Sequence, residues 1–121
     1  MEQFKEKMGK RCPELTMLQQ KQFEKYKDLL LEWNEKINLT AITDEDDIIL
    51  KHFIDSMTIL KYIDENSSIV DVGTGAGFPG IPVKIANSSI DVTLVDSLNK
   101  RLIFLEEVIK NLNLEKNKNS T

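Results

Sequence analysis

The chain is 121 residues long, 40% hydrophobic and 30% charged, with 20 acidic against 16 basic side chains and a formal charge of −4. Such a composition describes one soluble globular domain and excludes collagen-like, coiled-coil and wholly disordered classes. The mild acidity argues against strong phosphate binding by this chain alone, because that affinity comes mainly from Lys and Arg.

Residues 1–13 form a polar lead that ends at Pro13 and has no signal-peptide core. Its one cysteine, Cys12, cannot make an internal disulfide, and with a single histidine in the chain no metal site is expected. From Glu14 the apolar residues Leu15, Leu18, Phe23, Tyr26, Leu29, Leu30, Trp33 and Ile37 fall at helical spacing. Asn38, Leu39 and Thr40 end that helix. Thr43 before Asp44, Glu45 and Asp46 predicts an N-cap with acids in the first turn, where carboxylates suit the positive helix end. A second helix follows through Leu50, Phe53, Ile54, Met57 and Leu60 to a loop at Asp64.

The period then changes. Ser68 to Val72 reads as a strand, Gly73 to Gly80 as a glycine-rich loop and Ile81 to Ala86 as a short helix. Ile90 to Val95 reads as a second strand closing on Asp96, and Leu98, Leu102, Leu105, Ile109 and Leu112 mark an amphipathic helix. Strands alternating with helices predict an α/β fold with a parallel sheet. The tail after Leu114 is polar and aperiodic and does not read as a further strand. Two parallel strands cannot bury both faces of a sheet. The fold is therefore expected to stop after its second strand and helix, or to be completed by self-association at an exposed edge. No segment approaches the ~20 apolar residues that span a bilayer, so a cytoplasmic chain without a membrane partner is expected.

The chemistry concentrates at Asp71-Val-Gly73-Thr-Gly75-Ala-Gly77-Phe-Pro-Gly80. Glycines let a backbone turn tightly and approach a ligand closely. Asp96 lies ~20 residues further on, the spacing that sets a carboxylate against a ribose diol. The stretch also satisfies the dinucleotide fingerprint G-x-G-x-x-G. The acid two residues before the first glycine separates the two classes. A carboxylate at Asp71 suits the ammonium of S-adenosyl-L-methionine and repels a pyrophosphate. No Lys-Ser/Thr follows, which excludes a P-loop. A bland strand-to-helix turn would need neither four glycines nor two flanking acids.

Four motifs in order are similar to the bacterial 16S rRNA small-subunit methyltransferase G family, also called the glucose-inhibited division protein B family. They are Glu32-Trp-Asn34 with Ile37-Asn-Leu-Thr-Ala-Ile42, Lys51-His-Phe-Ile-Asp-Ser56, Asp71 through Pro82, and Leu94-Val-Asp-Ser-Leu-Asn-Lys-Arg101 with Phe104-Leu105. The resemblance implies a Rossmann-like S-adenosylmethionine methyltransferase fold with a helical N-terminal extension, residues 1–66. Residues 67–121 would be the first half of the methyltransferase domain. It implies transfer to guanine N7 of 16S rRNA, with Gly73 and Phe78 lining the cofactor site. Asp71, Gly75 and Gly77 would shape that site, with Asp96 facing the ribose and Ser97 also at the cofactor. Lys100 and Arg101 are candidate RNA contacts, against a solvated helix face. An N7 lone pair needs no general base, so His52 is expected to be structural. Trp33 is expected in the core, Asn34 at a helix end, and Asp55 and Ser56 in hydrogen bonds that tie the extension to the domain. Family members continue well beyond this length, so the alternative is a catalytically incompetent or self-associating module that retains the cofactor loop.

Overall fold

The computed structural model describes residues 2–41, 44–114 and 118–120. The elements are α1 (Glu2–Arg11), α2 (Met17–Asn34), α3 (Glu45–Asp47), a π-helix (Ile48–Ile54), α4 (Asp55–Met57), a 3-10 helix (Thr58–Tyr62), β1 (Ser68–Val72), α5 (Gly80–Ala86), β2 (Asp91–Val95), α6 (Asn99–Leu112) and β3 (Lys118–Ser120).

Three differences from the sequence reading have physical causes. The polar lead is a helix. Phe4 and Met8, four residues apart, share one face and are fully buried. Phe4 meets Phe53 edge-on at 6.2 Å. The helix that was expected from Glu14 starts at Met17. The Thr16 hydroxyl accepts from the Gln19 amide, and the Gln19 side chain accepts from the Thr16 amide, a reciprocal cap. The polar tail is not free of structure either: β3 pairs in parallel with β2, Thr93 opposite Lys118 and Val95 opposite Ser120. Strand pairing is made by backbone groups and needs no apolar pattern. Asn113, left-handed at φ 55°, ends α6 ahead of β3.

The second helical stretch does not wind uniformly. Thr43 lies outside the described residues, and Asp44 Oδ2 accepts from the Asp47 amide at 3.2 Å. Past that point the π-helix buries Ile48, Ile49 and Phe53. Such wider turns are uncommon and cluster at functional sites.

The sheet runs β1-β2-β3, with Ser68 opposite Asp91 and Val72 opposite Val95. Val92 and Leu94 of β2 face the core, whereas Val70 and Val72 of β1 are exposed. Helix α2 docks on the sheet's helices through two glutamines. Gln19 Nε2 donates to the Ile85 and Ala86 carbonyls at the end of α5, both at 3.1 Å. Gln22 Nε2 donates to the Leu112 carbonyl at the end of α6, at 2.9 Å. Carbonyls at a helix end otherwise lack partners, so these bonds fix the extension against the α/β part. One continuous cluster of buried residues runs from Phe4 to Leu114. Among the described residues no helix is long and apolar enough to cross a membrane, and no group of three or more potential ligands could hold a metal.

Candidate functional site

Where β1 ends, the chain turns across the carboxyl edge of the sheet. The Gly73 and Thr74 amides donate to the Val95 carbonyl at 2.8 and 3.0 Å, which stitches the loop to the end of β2. Gly73, Gly75 and Gly77 all have positive φ, at 69°, 60° and 103°. The glycines then divide by role. A Cβ on Gly73 or Gly75 would meet nothing within 4 Å, so both border open space. A Cβ on Gly80 would lie 2.5 Å from Leu94 Cδ2, and one on Gly77 2.7 Å from Ile81 Cδ1. The first pair is a cradle; the second pair serves packing.

Two carboxylates hold this loop. Asp71 Oδ2 accepts from the Thr74 hydroxyl at 2.6 Å and from the Gly80 amide at 3.0 Å. It thus occupies the start of α5. Its Oδ1 has no hydrogen-bond partner among the described residues. Burial pushes the Asp71 carboxyl above its ordinary range; the Thr74 and Gly80 bonds oppose that shift and the Asp96 charge adds to it. Asp96 is 2% exposed. Its Oδ2 accepts from the Gly75 amide at 2.8 Å and its Oδ1 from the Leu98 amide at 3.0 Å. The Arg101 guanidinium lies at 3.4 and 3.5 Å from the two oxygens. Burial raises this carboxyl, but the two amides and Arg101 outweigh it and hold it below its ordinary value.

The helical extension buttresses the loop from the other side. Tyr26 of α2 is fully buried, and its hydroxyl donates to the Ala76 carbonyl at 2.6 Å. Burial, then the Asp71 charge, pushes the phenol well above its ordinary range, so it remains a donor. Its ring stacks on Phe53 at 5.4 Å and lies 5.6 Å from Phe78. Phe78 in turn stacks flat on His52, 4.2 Å away and 9° from parallel. His52 Nε2 shares a hydrogen bond with the Thr40 hydroxyl at 2.9 Å. Tyr26→Phe strands the Ala76 carbonyl and should lower stability by about 1–2 kcal/mol; an unchanged melting temperature would refute the buttress.

The remaining sequence candidates separate. Ser97 and Lys100 are exposed beside the site. Arg101, expected at an RNA face, turns back to Asp96. Together with Leu98, Ile37 and Asn38, these two basic residues and Lys36 line a cavity of about 350 Å³; Lys36 comes from the turn after α2 and was invisible to local spacing. Trp33 packs against Phe104 at 5.8 Å, and Asn34 Oδ1 accepts from the Leu39 and Thr40 amides. The expected tie through Asp55 is absent. Its carboxylate is exposed and has no hydrogen-bond partner among the described residues, while its main-chain carbonyl accepts from Thr58. Ser56 is buried.

Over this whole loop and its supports, residues 19–119 match the model of the rRNA small subunit methyltransferase G family. The chain belongs to that family. Proteins called ribosomal RNA small subunit methyltransferase G are similar to it over most of its length. The one from Alkaliphilus oremlandii is 57% identical over 97 residues, 78% of this chain and 41% of the relative. That from Bacillus subtilis is 50% identical over 117 residues, 95% of this chain and 49% of the relative. That from Acetivibrio thermocellus is 62% identical over 91 residues, 74% of this chain and 38% of the relative. The chain thus spans less than half the length of these curated relatives, and its match to the methyltransferase G family includes Tyr26 and His52 as well as the glycine loop.

Proposed function

We propose that this chain is the S-adenosyl-L-methionine-binding half of a Rossmann-like methyltransferase that acts on guanine N7 of 16S rRNA in the cytoplasm. On this reading residues 1–66 are its helical extension and residues 67–121 open the methyltransferase domain. The observation that carries the cofactor assignment is the place of Asp71. A dinucleotide site needs free amides at the start of the helix after the loop. Here the Asp71 carboxylate already takes the Gly80 amide, and a pyrophosphate would meet its charge. An ammonium suits the same place, received by Asp71 Oδ1. Gly73 and Gly75 leave the space that the amino-acid end requires. A carboxylate presents about four lone-pair sites. The Gly75 and Leu98 amides take two at Asp96, and Arg101 sits at the edge of bonding range. A ribose diol can therefore replace Arg101, whose side chain is 35% exposed.

The cofactor, when bound, supplies an electrophilic methyl group. N7 of guanine carries no proton, so the protein's own residues need not remove one. Their work is to align donor with acceptor and to exclude water, the contribution expected from a rigid loop held by Tyr26, Asp71 and Asp96. Lys36 and Lys100 beside the site suit rRNA phosphates. A second reading, a self-associating module without activity, draws on the exposed Val70 and Val72 of β1.

Titration calorimetry with S-adenosyl-L-homocysteine tests the assignment. The chain should show saturable single-site uptake, and Gly73→Ala, which puts a methyl into the cradle, should weaken it by roughly tenfold or more. The strain of alanine at this φ, about 1–2 kcal/mol, lowers stability only modestly. No saturable uptake, or a preference for a nicotinamide dinucleotide, would end this reading. A dimer by size-exclusion chromatography with no uptake would favour the second.

A further inference from the structure

A second cavity, of about 280 Å³, opens beside the glycine loop, where Phe78 and Pro79 of that loop line it together with Lys51, His52, Asp55 and Ser56 of the helical extension. Its chemistry differs from that of the cofactor cradle. One wall is the flat His52–Phe78 pair. Thr40 fixes the imidazole at Nε2. Burial, against the opposing Asp55 charge, lowers the pKa of His52, so the ring is neutral at pH 7 and favours stacking over repulsion. The rim holds one exposed anion, Asp55, and one exposed cation, Lys51, four residues apart. Neither side chain has a hydrogen-bond partner among the described residues.

We infer that this cavity is the acceptor-base pocket: the base stacks on the His52–Phe78 pair, and the Asp55 carboxylate selects guanine. The inference rests on the methyltransferase reading above and names the residues that choose its substrate. Only guanine offers two adjacent donors, N1–H and the N2 amino group, on its Watson–Crick edge. A carboxylate accepts both. Adenine and cytosine place a ring acceptor there, which a carboxylate repels. Uracil and thymine offer one donor flanked by carbonyls. N7 lies on the Hoogsteen edge of guanine, so a carboxylate pairing with N1–H and the N2 amino group leaves it unpaired and unprotonated. Lys51 suits the phosphate of the same nucleotide. A base must leave its stack to enter such a pocket, as it does in other enzymes that modify bases. Aromatic and imidazole rings are the usual platforms for splayed bases.

Amide NMR of the full chain tests this with guanosine, inosine and adenosine 5′-monophosphates, which share one phosphate and one sugar. The guanine nucleotide should shift signals of residues 51–56 and Phe78. Inosine, lacking the N2 amino group, should bind more weakly, and adenosine on the order of tenfold more weakly. Asp55→Asn should abolish this order, while Asp64→Asn in the exposed turn before β1 should keep it. His52→Ala should weaken all three alike. Equal binding of the three, shifts confined to Lys36 and Lys100, or no shift at the solubility limit would overturn the proposal. S-adenosyl-L-homocysteine added to the same sample reads the cofactor site through Gly73 and Gly75. Its uptake without guanine preference would sink the base pocket alone. Guanine preference without its uptake would support the pocket and sink the methyltransferase reading.

Discussion

Gly77→Ala is expected to cost roughly 3–5 kcal/mol of folding stability, the largest loss from any single methyl group in the loop. Two causes add. At φ 103° an L-residue is strained wherever it sits, at a cost of about 1–3 kcal/mol. The new Cβ would also lie 2.7 Å from Ile81 Cδ1 and 2.8 Å from the Tyr26 hydroxyl. Neither neighbour has room to yield. Ile81 is buried at the base of α5, and the Tyr26 hydroxyl is committed to the Ala76 carbonyl. Overpacking of this kind costs about 1–3 kcal/mol. Small domains hold only about 5–15 kcal/mol in total, so the variant should unfold at a markedly lower urea concentration. Gly73→Ala is the internal comparison, because it has positive φ but open space around the added methyl. If the two variants unfold together, the division of the glycines into cradle and packing positions is wrong.

That division marks the limit of what local sequence can express. The run from Asp71 to Gly80 was legible as a ligand loop because positive φ at three positions requires glycine, and glycines at such spacing are rare without that need. Its two acids were legible as strand-end carboxylates. Their partners were not. Asp71 reaches Thr74 and Gly80, whereas Asp96 reaches back 21 residues to Gly75, and nothing in the spacing tells one from the other. Tyr26 appeared only as one apolar position of a helical face, yet its hydroxyl supports the loop from 50 residues away.

The same distinction explains the fold. Strands β1 and β2 and helices α2, α5 and α6 show in the sequence because burial on one side writes a period. In helix α1 the fully buried side chains among the described residues are Phe4 and Met8, too few to stand out from its charges. Strand β3 is made by backbone pairing alone as far as its sequence shows. The π-turns of residues 48–54 depend on how Phe53 packs with Phe4, Phe23 and Tyr26, a contact set no local rule contains. Those turns bring Lys51 and His52 to the loop, ahead of Asp55 at the start of α4, so the least legible element supplies part of one wall of the second cavity.

Asp96→Ala should lower stability by roughly 2–4 kcal/mol at neutral pH, because it strands the Gly75 and Leu98 amides and leaves Arg101 unpaired. The pH dependence separates this role from simple loss of packing. The Asp96 carboxyl sits below its ordinary value of 3.8 in the folded chain. It therefore binds a proton less readily folded than unfolded. Its stabilisation is complete above that ordinary value and is lost as pH falls through the lower folded value. Asp71 has the opposite sign. Its raised carboxyl favours the protonated form in the folded chain, so its contribution improves as pH falls through the raised value. Denaturation of both proteins from neutral pH into the acid range should show the gap between wild type and Asp96→Ala narrowing below the ordinary carboxylate value. Asp71 is present in both, so its contribution largely cancels. A gap that stays constant to the lowest pH would mean that the Asp96 charge does not hold the loop.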